Sequence, residues 1–201
     1  MMIDGHANGD VAAGTLLPNR TVFVCGLAAV ALLTAATLPW PDALASTILG
    51  ALMVAGADVD ARSLLLPDLV TGGALAAGLV AAAAFDPLDR RSALMAAIGG
   101  AILVGTALWL MRAIYQWLRQ REGIGLGDVK LAAAVGAWLP LDAVPLCFAL
   151  ASCAALVAVL LARLRTGSIV STATLPFGAF LCPALWLVDY ALRMLAASPL
   201  I

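Results

Sequence analysis

Two aspartates carry the chemistry that this sequence could perform. Asp60 stands between two apolar runs, and Asp128 ends the Gly-Leu-Gly-Asp segment at 125–128. Two carboxylates held close together cannot both ionise cheaply, so one keeps a proton while the other can take a proton from water. Such a pair could hydrolyse an amide bond. Asp60 and Asp128 are therefore candidate catalytic residues, provided that the fold brings them together.

Other catalytic chemistries lack the residues that they require. The single histidine, His6, lies in a polar N-terminal stretch, so neither a Ser-His pair within a membrane nor an H-E-x-x-H zinc site is expected. A phosphate-binding G-x-x-x-x-G-K-[ST] loop is absent from the sequence. The sequence contains no C-x-x-C pair, which argues against a zinc site and against a disulfide framework. We therefore interpret the cysteines as small buried hydrophobic residues. They are Cys25, Cys147, Cys153 and Cys182.

The composition indicates where the aspartates must sit. Hydrophobic residues make up 64% of the 201 residues and charged residues 11%, whereas soluble domains hold roughly 45–50% and 25%. In lipid, an open chain can satisfy its backbone hydrogen bonds only as helices. The sequence therefore predicts an all-α integral membrane protein, a polytopic bundle of six to seven transmembrane helices. The net charge of −1 and the lack of a basic stripe argue against a nucleic-acid partner.

The apolar runs define a polar N-terminal tail at 1–20 and a transmembrane domain at 21–201. They cover 21–40, 43–57, 69–85, 93–118, 129–139, 143–161 and 172–195. The run at 129–139 is short, which leaves six or seven crossings open. Seven crossings with a cytoplasmic N-terminus place most lysines and arginines, and both candidate aspartates, on the cytoplasmic side. A cleaved signal peptide is the less favoured alternative for the first run, which is longer than a usual signal core.

Each acidic residue also has a purely structural interpretation. Asp60 could be a charge in a loop. Asp68 could cap a helix that Pro67 helps to start. Asp128 could cap a helix that begins at Val129, where the positive helix end suits a carboxylate.

The residues that flank the aspartates are supporting candidates with alternatives of their own. Gly125 and Gly127 could allow a substrate backbone to approach closely, or could form an ordinary turn. Arg62 and Lys130 could tune the carboxylates or contact lipid phosphates, or could simply anchor the cytoplasmic side.

Three segments resemble the signatures of the type IV prepilin peptidases. Segment 60–68 reads D-x-R-x-x-x-L-P-D and is similar to the family's D-x-R-x-x-x-I-P-N/D. Segment 125–131, G-L-G-D-V-K-L, resembles G-x-G-D-[VF]-K-L, and segment 175–181, L-P-F-G-A-F-L, resembles I-P-F-G-P-F-L. Leu66 and Ala179 are mild departures. The resemblance covers about residues 44–182.

The resemblance implies a multi-pass aspartic endopeptidase of the bacterial inner membrane. Members of the family remove the short basic leader of prepilin-like proteins at the cytoplasmic face. Their catalytic aspartates map onto Asp60 and Asp128, whereas Asp58 has the wrong spacing to Pro67. The last motif adds supporting candidates that could line a substrate groove or kink and pack a helix: Pro176, Phe177 and Gly178.

The resemblance also sets expectations for cofactors and partners. Larger members carry an N-terminal zinc domain with paired C-x-x-C ligands and methylate the new N-terminus. This sequence looks like the short, peptidase-only form associated with tight-adherence or Flp-type pili, so we expect no metal and no S-adenosylmethionine. The expected partners are a prepilin-like substrate and membrane lipid, and the oligomeric state stays open.

Two other functions are alternatives to a peptidase. A small ion- or proton-coupled transporter would place charges in mid-helix, and a non-catalytic scaffold would tolerate asparagine at both aspartates.

Because Asp128 is expected at a helix start, we predict that it acts as the base and Asp60 as the acid.

Overall fold

A computed structural model describes residues 17–85, 89–120, 123–166 and 176–197. Within these ranges the chain forms seven α-helices and no β-strand. The predicted polytopic all-α fold is therefore confirmed, whereas residues 1–16 of the predicted polar tail lie outside the described residues. The helices are α1 (Arg20–Thr37), α2 (Asp42–Ser63), α3 (Asp68–Phe85), α4 (Arg90–Arg119), α5 (Leu126–Trp138), α6 (Val144–Thr166) and α7 (Gly178–Ala197).

Five of these helices are long and apolar enough to cross a membrane, which makes the chain a multi-pass membrane protein. They are α1, α2, α4, α6 and α7. The apolar part of α3 is slightly shorter, at Asp68–Ala84. Helix α5 has 13 residues and is thus about 20 Å long at 1.5 Å per residue. The hydrocarbon core is about 30 Å thick, so α5 is too short to span it unaided.

Two helix starts differ from the expectations drawn from the sequence. Helix α5 begins at Leu126 rather than Val129, so Asp128 lies in its first turn and is not its cap. Likewise, α3 begins at Asp68 itself, and the Pro67 carbonyl accepts the amide hydrogens of Val70 and Thr71. Both carboxylates still lie where the positive end of the helix dipole favours them.

Helix α5 occupies the centre of the bundle. It packs against α3, α4 and α7, and Leu131 and Val135 are fully buried. Its contact with α4 is a backbone contact, because a Cβ on Gly136 would lie 2.2 Å from the carbonyl oxygen of Gly100. Small residues allow such close helix packing in membranes. The short α5 thereby fixes Asp128 rigidly relative to its neighbours.

Long-range contacts group the helix ends into two sets. The first set, which we call the aspartate end, contains the starts of α1, α3, α5 and α7 and the end of α2. Its contacts are the hydrogen bonds Asn19–Asp58 and Ala179–Asp60 and the ion pair Lys130–Asp68. The second set, which we call the arginine end, contains the start of α2 and the ends of α1, α5 and α7. Its contacts are the hydrogen bond Thr37–Tyr190, the ion pair Arg193–Asp42 and the cation–π contact Arg193–Trp138. Asp60 and Asp128 therefore lie at the same end of the bundle.

One cation organises the arginine end. Arg193 donates from Nε to both carboxylate oxygens of Asp189, at 2.9 and 3.0 Å, and from Nη1 to Asp42 at 2.5 Å. Its guanidinium also lies 5.8 Å from the centre of the Trp138 ring. This cluster fastens α7 to α2 and α5.

Candidate active site

Asp60 lies in the last turn of α2 and is almost completely buried, with 4% of its surface exposed. Its Oδ2 accepts a hydrogen bond of 2.7 Å from the backbone N–H of Ala179, in the first turn of α7. The N-terminus of a helix carries partial positive charge. No lysine or arginine in the described ranges forms an ion pair with Asp60, so backbone dipoles supply its compensation.

Asp128 is half-buried in the first turn of α5, outside the five spanning helices. Burial and then the nearby negative charge of Asp60 raise the pKa of Asp128 from 3.8 to about 6, although the Gly125 N–H lowers it. Leu66 contacts both Gly127, which precedes Asp128, and Gly178, which lies against the Asp60 carboxylate, so the two aspartates lie in neighbouring segments. The fold thus brings together residues that are 68 positions apart, and no cation among the described residues forms an ion pair with either of them.

Leu66 packs between the segments that carry the two aspartates. A Cβ on Gly127 would lie 2.9 Å from Leu66 Cβ, and a Cβ on Gly178 would lie 2.3 Å from Leu66 Cδ1. Both glycines therefore leave room for this side chain. From the sequence, Leu66 is only a departure from isoleucine, and Gly127 could either allow a substrate backbone to approach or form an ordinary turn. The isoleucine that the resembled signature has before its proline was the signal for this packing role.

The remaining glycines and the last motif surround the carboxylates in different ways. A Cβ on Gly125 would make an ordinary contact of 3.5 Å with Asp128 Oδ2, and a Cβ on Gly178 would lie 2.9 Å from Asp60 Oδ2. Phe177 lines a cavity together with Asp128. Pro176 lies just ahead of α7 and does not interrupt a helix; the proline within α7 is Pro183.

The two predicted flanking cations form ion pairs elsewhere. Arg62 binds the Asp58 carboxylate at 2.6 Å and the Leu17 carbonyl at 2.8 Å. Lys130 pairs with the exposed Asp68. Arg62 therefore holds the chain ahead of α1, and Lys130 joins α5 to α3. Neither cation forms an ion pair with Asp60 or Asp128.

The cysteines follow the predicted pattern only in part. Cys147 and Cys182 are buried, whereas Cys25 and Cys153 are exposed on apolar helices, and all four are free thiols. The interpretation of all four as buried residues was thus wrong for the two that point outward, because hydropathy alone does not distinguish a lipid-facing from a core-facing position. In the described part of the chain, no group of three or more His, Cys, Asp or Glu side chains could hold a metal ion.

Comparisons with known proteins agree with the motifs. The model of the type IV leader peptidase family matches residues 47–160, which include both aspartates. A prepilin leader peptidase/N-methyltransferase of Dickeya chrysanthemi is 41% identical over 131 residues, 63% of this chain and 44% of that protein.

Two further relatives extend the match. A type 4 prepilin-like proteins leader peptide-processing enzyme of Escherichia coli O78:H11 is 35% identical over 147 residues, 71% of this chain and 51% of that protein. A prepilin leader peptidase/N-methyltransferase of Aeromonas salmonicida is 34% identical over 188 residues, which are 93% of this chain and 62% of that protein. The chain thus spans about half the length of the curated relatives that it matches. No solved structure matches it.

Proposed function

The chain belongs to the type IV leader peptidase family, and on that premise we propose that it is a membrane-embedded aspartic endopeptidase. Its substrate is a prepilin-like protein, of the Flp or type IV pilin class, from which it removes a short basic leader. The water that attacks the scissile carbonyl is activated by Asp60 and Asp128. The oxygen and hydrogen atoms of one water molecule end in the new carboxylate and amine.

The observation that carries this proposal is the uncompensated acidic pair. Asp60 is buried and Asp128 is half-buried, and among the described residues only backbone N–H groups compensate either charge. Burying two like charges near each other is unfavourable unless they share a proton. A pKa near 6 allows Asp128 to change its protonation state close to neutral pH, as a general acid–base catalyst must.

The hydrogen bonds favour one division of roles within the pair. The Ala179 N–H stabilises negative charge on Asp60, whereas the charge of Asp60 favours the protonated form of Asp128. We therefore assign Asp60 as the base that takes a proton from water. Asp128 is the acid that donates to the carbonyl oxygen, and the proton that Asp60 has taken from water passes to the leaving amine as the C–N bond breaks. This reverses the assignment predicted from the helix start alone, because Asp60 also faces a helix N-terminus.

The distribution of positive charge supports a cytoplasmic active site in the bacterial inner membrane. The aspartate end carries Arg20, Arg62, Arg119, Lys130, Arg163 and Arg165, as the helix directions require. The arginine end carries Arg90, Arg91 and Arg193. Cytoplasmic boundaries of membrane proteins are enriched in Lys and Arg. A transporter is less well supported, since both candidate aspartates lie at helix ends rather than in mid-helix.

Co-expression with prepilin-like proteins from the same genome tests the proposal. Leader removal, followed by gel mobility and by N-terminal sequencing of the product, should occur with the wild type and fail with Asp60→Asn and with Asp128→Asn. Asp58→Asn is the matched control, because Asp58 lies two residues from Asp60 on the same helix but pairs with Arg62. Normal processing by either of the first two variants would show that the pair is not catalytic.

A further inference from the structure

A large apolar groove begins at Asp128 and extends along α5. Its volume is about 870 Å³, and its lining runs from Asp128, at the start of α5, to Leu141 and Val144, beyond the end of that helix. The groove exists because α6 packs on α7 and scarcely contacts α4 or α5. A gap therefore separates α4 from α6, and the candidate catalytic residue Asp128 lies at one end of this gap.

Two helix faces form the walls of this groove. Helix α4 contributes side chains four residues apart along one face, and α6 does the same on the opposite side. The α4 residues include Leu103, Ala107, Leu108 and Met111, and the α6 residues include Val144, Phe148 and Ser152. Among the described residues that line the groove, Asp128 and Ser152 are the only ones with oxygen atoms in their side chains. Such walls suit an apolar helix that lies between them.

We propose that this groove binds a substrate through an apolar helical segment next to the scissile bond, with Leu108, Met111 and Phe148 as specificity-determining contacts. The proposal rests on the proposed function, since it takes Asp128 to mark the cleavage position. The groove follows the 13 residues of α5, a length of about 20 Å that accommodates about 13 residues of bound helix. Residues on the leader side then lie beyond Asp128, outside the groove.

Charge distinguishes this occupant from a lipid chain. A phospholipid acyl chain in the groove would place its phosphate beside Asp128, and no lysine or arginine among the described residues lines the groove to offset that repulsion. A polypeptide segment carries no charge in the groove, and a basic leader beyond Asp128 would be attracted to the acidic pair. The groove therefore fits a polypeptide whose charge changes from basic to apolar at the cleavage position.

Photo-cross-linking in membranes identifies the occupant directly. A photoreactive amino acid replaces Met111 or, as the control, Trp109 in full-length protein that carries Asp60→Asn and is co-expressed with a prepilin-like protein. Met111 and Trp109 are similarly exposed, at 55% and 53%, but only Met111 lines the groove. We expect the substrate to cross-link at Met111 and not at Trp109. Cross-links at Met111 only to lipid or to a second copy of this chain, or equal yields of substrate at both positions, would overturn the proposal.

A groove-filling variant then tests selectivity. Ala107→Trp fills the groove, whereas Leu110→Trp on the same helix places equal bulk outside the residues that line it. With a prepilin-like substrate, Ala107→Trp should lower kcat/KM about tenfold or more, mainly through KM, as the loss of a single apolar anchor does. With a short peptide that lacks the apolar segment, Leu110→Trp should match the wild type, and the loss caused by Ala107→Trp should be much smaller than with the prepilin-like substrate.

The results separate this inference from the proposed function. Wild-type cleavage of both substrates, with equal kinetics for Ala107→Trp and Leu110→Trp, would overturn the groove and leave the peptidase intact. No cleavage by the wild type, with substrate cross-linked at Met111 alone, would refute the peptidase and retain the groove as a binding site. If Ala107→Trp fails on both substrates, it is misfolded, and the Met111 cross-link decides.

Discussion

The two ends of the helix pair α2–α7 treat buried carboxylates in opposite ways. At the arginine end, Arg193 forms ion pairs with Asp189 and Asp42. At the aspartate end, Asp60 has the Ala179 N–H as its partner, and its charge acts unfavourably on Asp128. One end of this helix pair thus holds carboxylates that are ion-paired with an arginine, whereas at the other end Asp60 of α2 and Asp128 of α5 form an acidic pair with no cation as ion-pair partner among the described residues.

This difference separates structural from chemical roles. A buried ion pair with good hydrogen bonds offsets much of the desolvation of its own charges, and removal of one partner is strongly destabilising because it leaves a charge buried alone. An uncompensated pair destabilises the native state as it stands, and strongly perturbed carboxylates of this kind cluster at functional sites. Substitutions at the arginine end should therefore change stability, and those at the aspartate end should change activity.

The largest expected effect is the loss of activity at the aspartate end. Asp60→Asn should lower the rate of leader cleavage at least about a thousandfold, because one member of an acid–base pair is lost. Its melting temperature in detergent should equal or exceed that of the wild type, since a buried charge has been removed. A variant that loses activity and melts much earlier than the wild type would assign Asp60 a structural role instead.

Arg193→Met should have the reverse signature. Removal of this cation leaves Asp189 buried without a cationic partner, which destabilises a fold by about 3–5 kcal/mol. Thermal unfolding in detergent should reveal the loss, while the folded fraction keeps its cleavage rate. The double variant Asp189→Asn/Arg193→Gln should recover most of the stability. If the single and double variants melt alike, the cluster is not the fastening that we describe.

Gly178→Ala tests the packing that supports the acidic pair. The new Cβ would approach Leu66 Cδ1 at 2.3 Å and Asp60 Oδ2 at 2.9 Å, an overpacking that is unfavourable by about 1–3 kcal/mol. The cleavage rate should fall, and the smaller side chain in Leu66→Ala/Gly178→Ala should restore part of it. Leu66→Ala alone is the control. An unchanged rate for Gly178→Ala would show that Leu66 does not position the site.

Asp128→Asn should stabilise the protein in a pH-dependent way. The pKa of Asp128 is raised to about 6 in the fold, so the native state binds the proton more tightly than the unfolded chain. That advantage is complete at low pH and is lost as the pH rises from about 4 to 6. The variant should therefore gain on the order of 1–2 kcal/mol above pH 6, less than full burial would give because Asp128 is partly exposed.

Melting curves from pH 4 to 8 check this expectation. The variant and the wild type should differ little near pH 4 and separate progressively up to about pH 6. Asp68→Asn, which alters an exposed aspartate in the first turn of α3, is the control that should show no such separation. A constant difference across the range would mean that the stability change does not arise from the ionisation of Asp128.

Lys130→Met should have the smallest effect. The Lys130–Asp68 pair is exposed, with 51% and 79% of the two side chains accessible, and such pairs contribute less than about 1 kcal/mol. Leader cleavage and the melting temperature should both stay close to the wild-type values. A thousandfold loss of cleavage would instead show that Lys130, a cation at the aspartate end, takes part in catalysis.

The helices and the candidate catalytic residues were accessible from the sequence because their signals are local. Apolar runs specify helices wherever lipid is the solvent, and the predicted fold is confirmed on that basis. The segments at 60–68 and 125–131 gave Asp60 and Asp128, and charge counting placed both on one side. Helix starts were less accurate, since Gly125 rather than Asp128 is the N-cap of α5, which begins at Leu126.

Only the tertiary structure decided which groups surround the two aspartates. The Asp60–Ala179 bond joins residues 119 positions apart, and the Arg193–Asp42 pair joins residues 151 positions apart. Likewise, the groove beside Asp128 depends on α6 standing away from α4. Local patterns determine that a helix forms, whereas the packing of whole helices determines which side chains meet. Neither Leu66 between two glycines nor the single arginine opposite two carboxylates follows from periodicity or spacing.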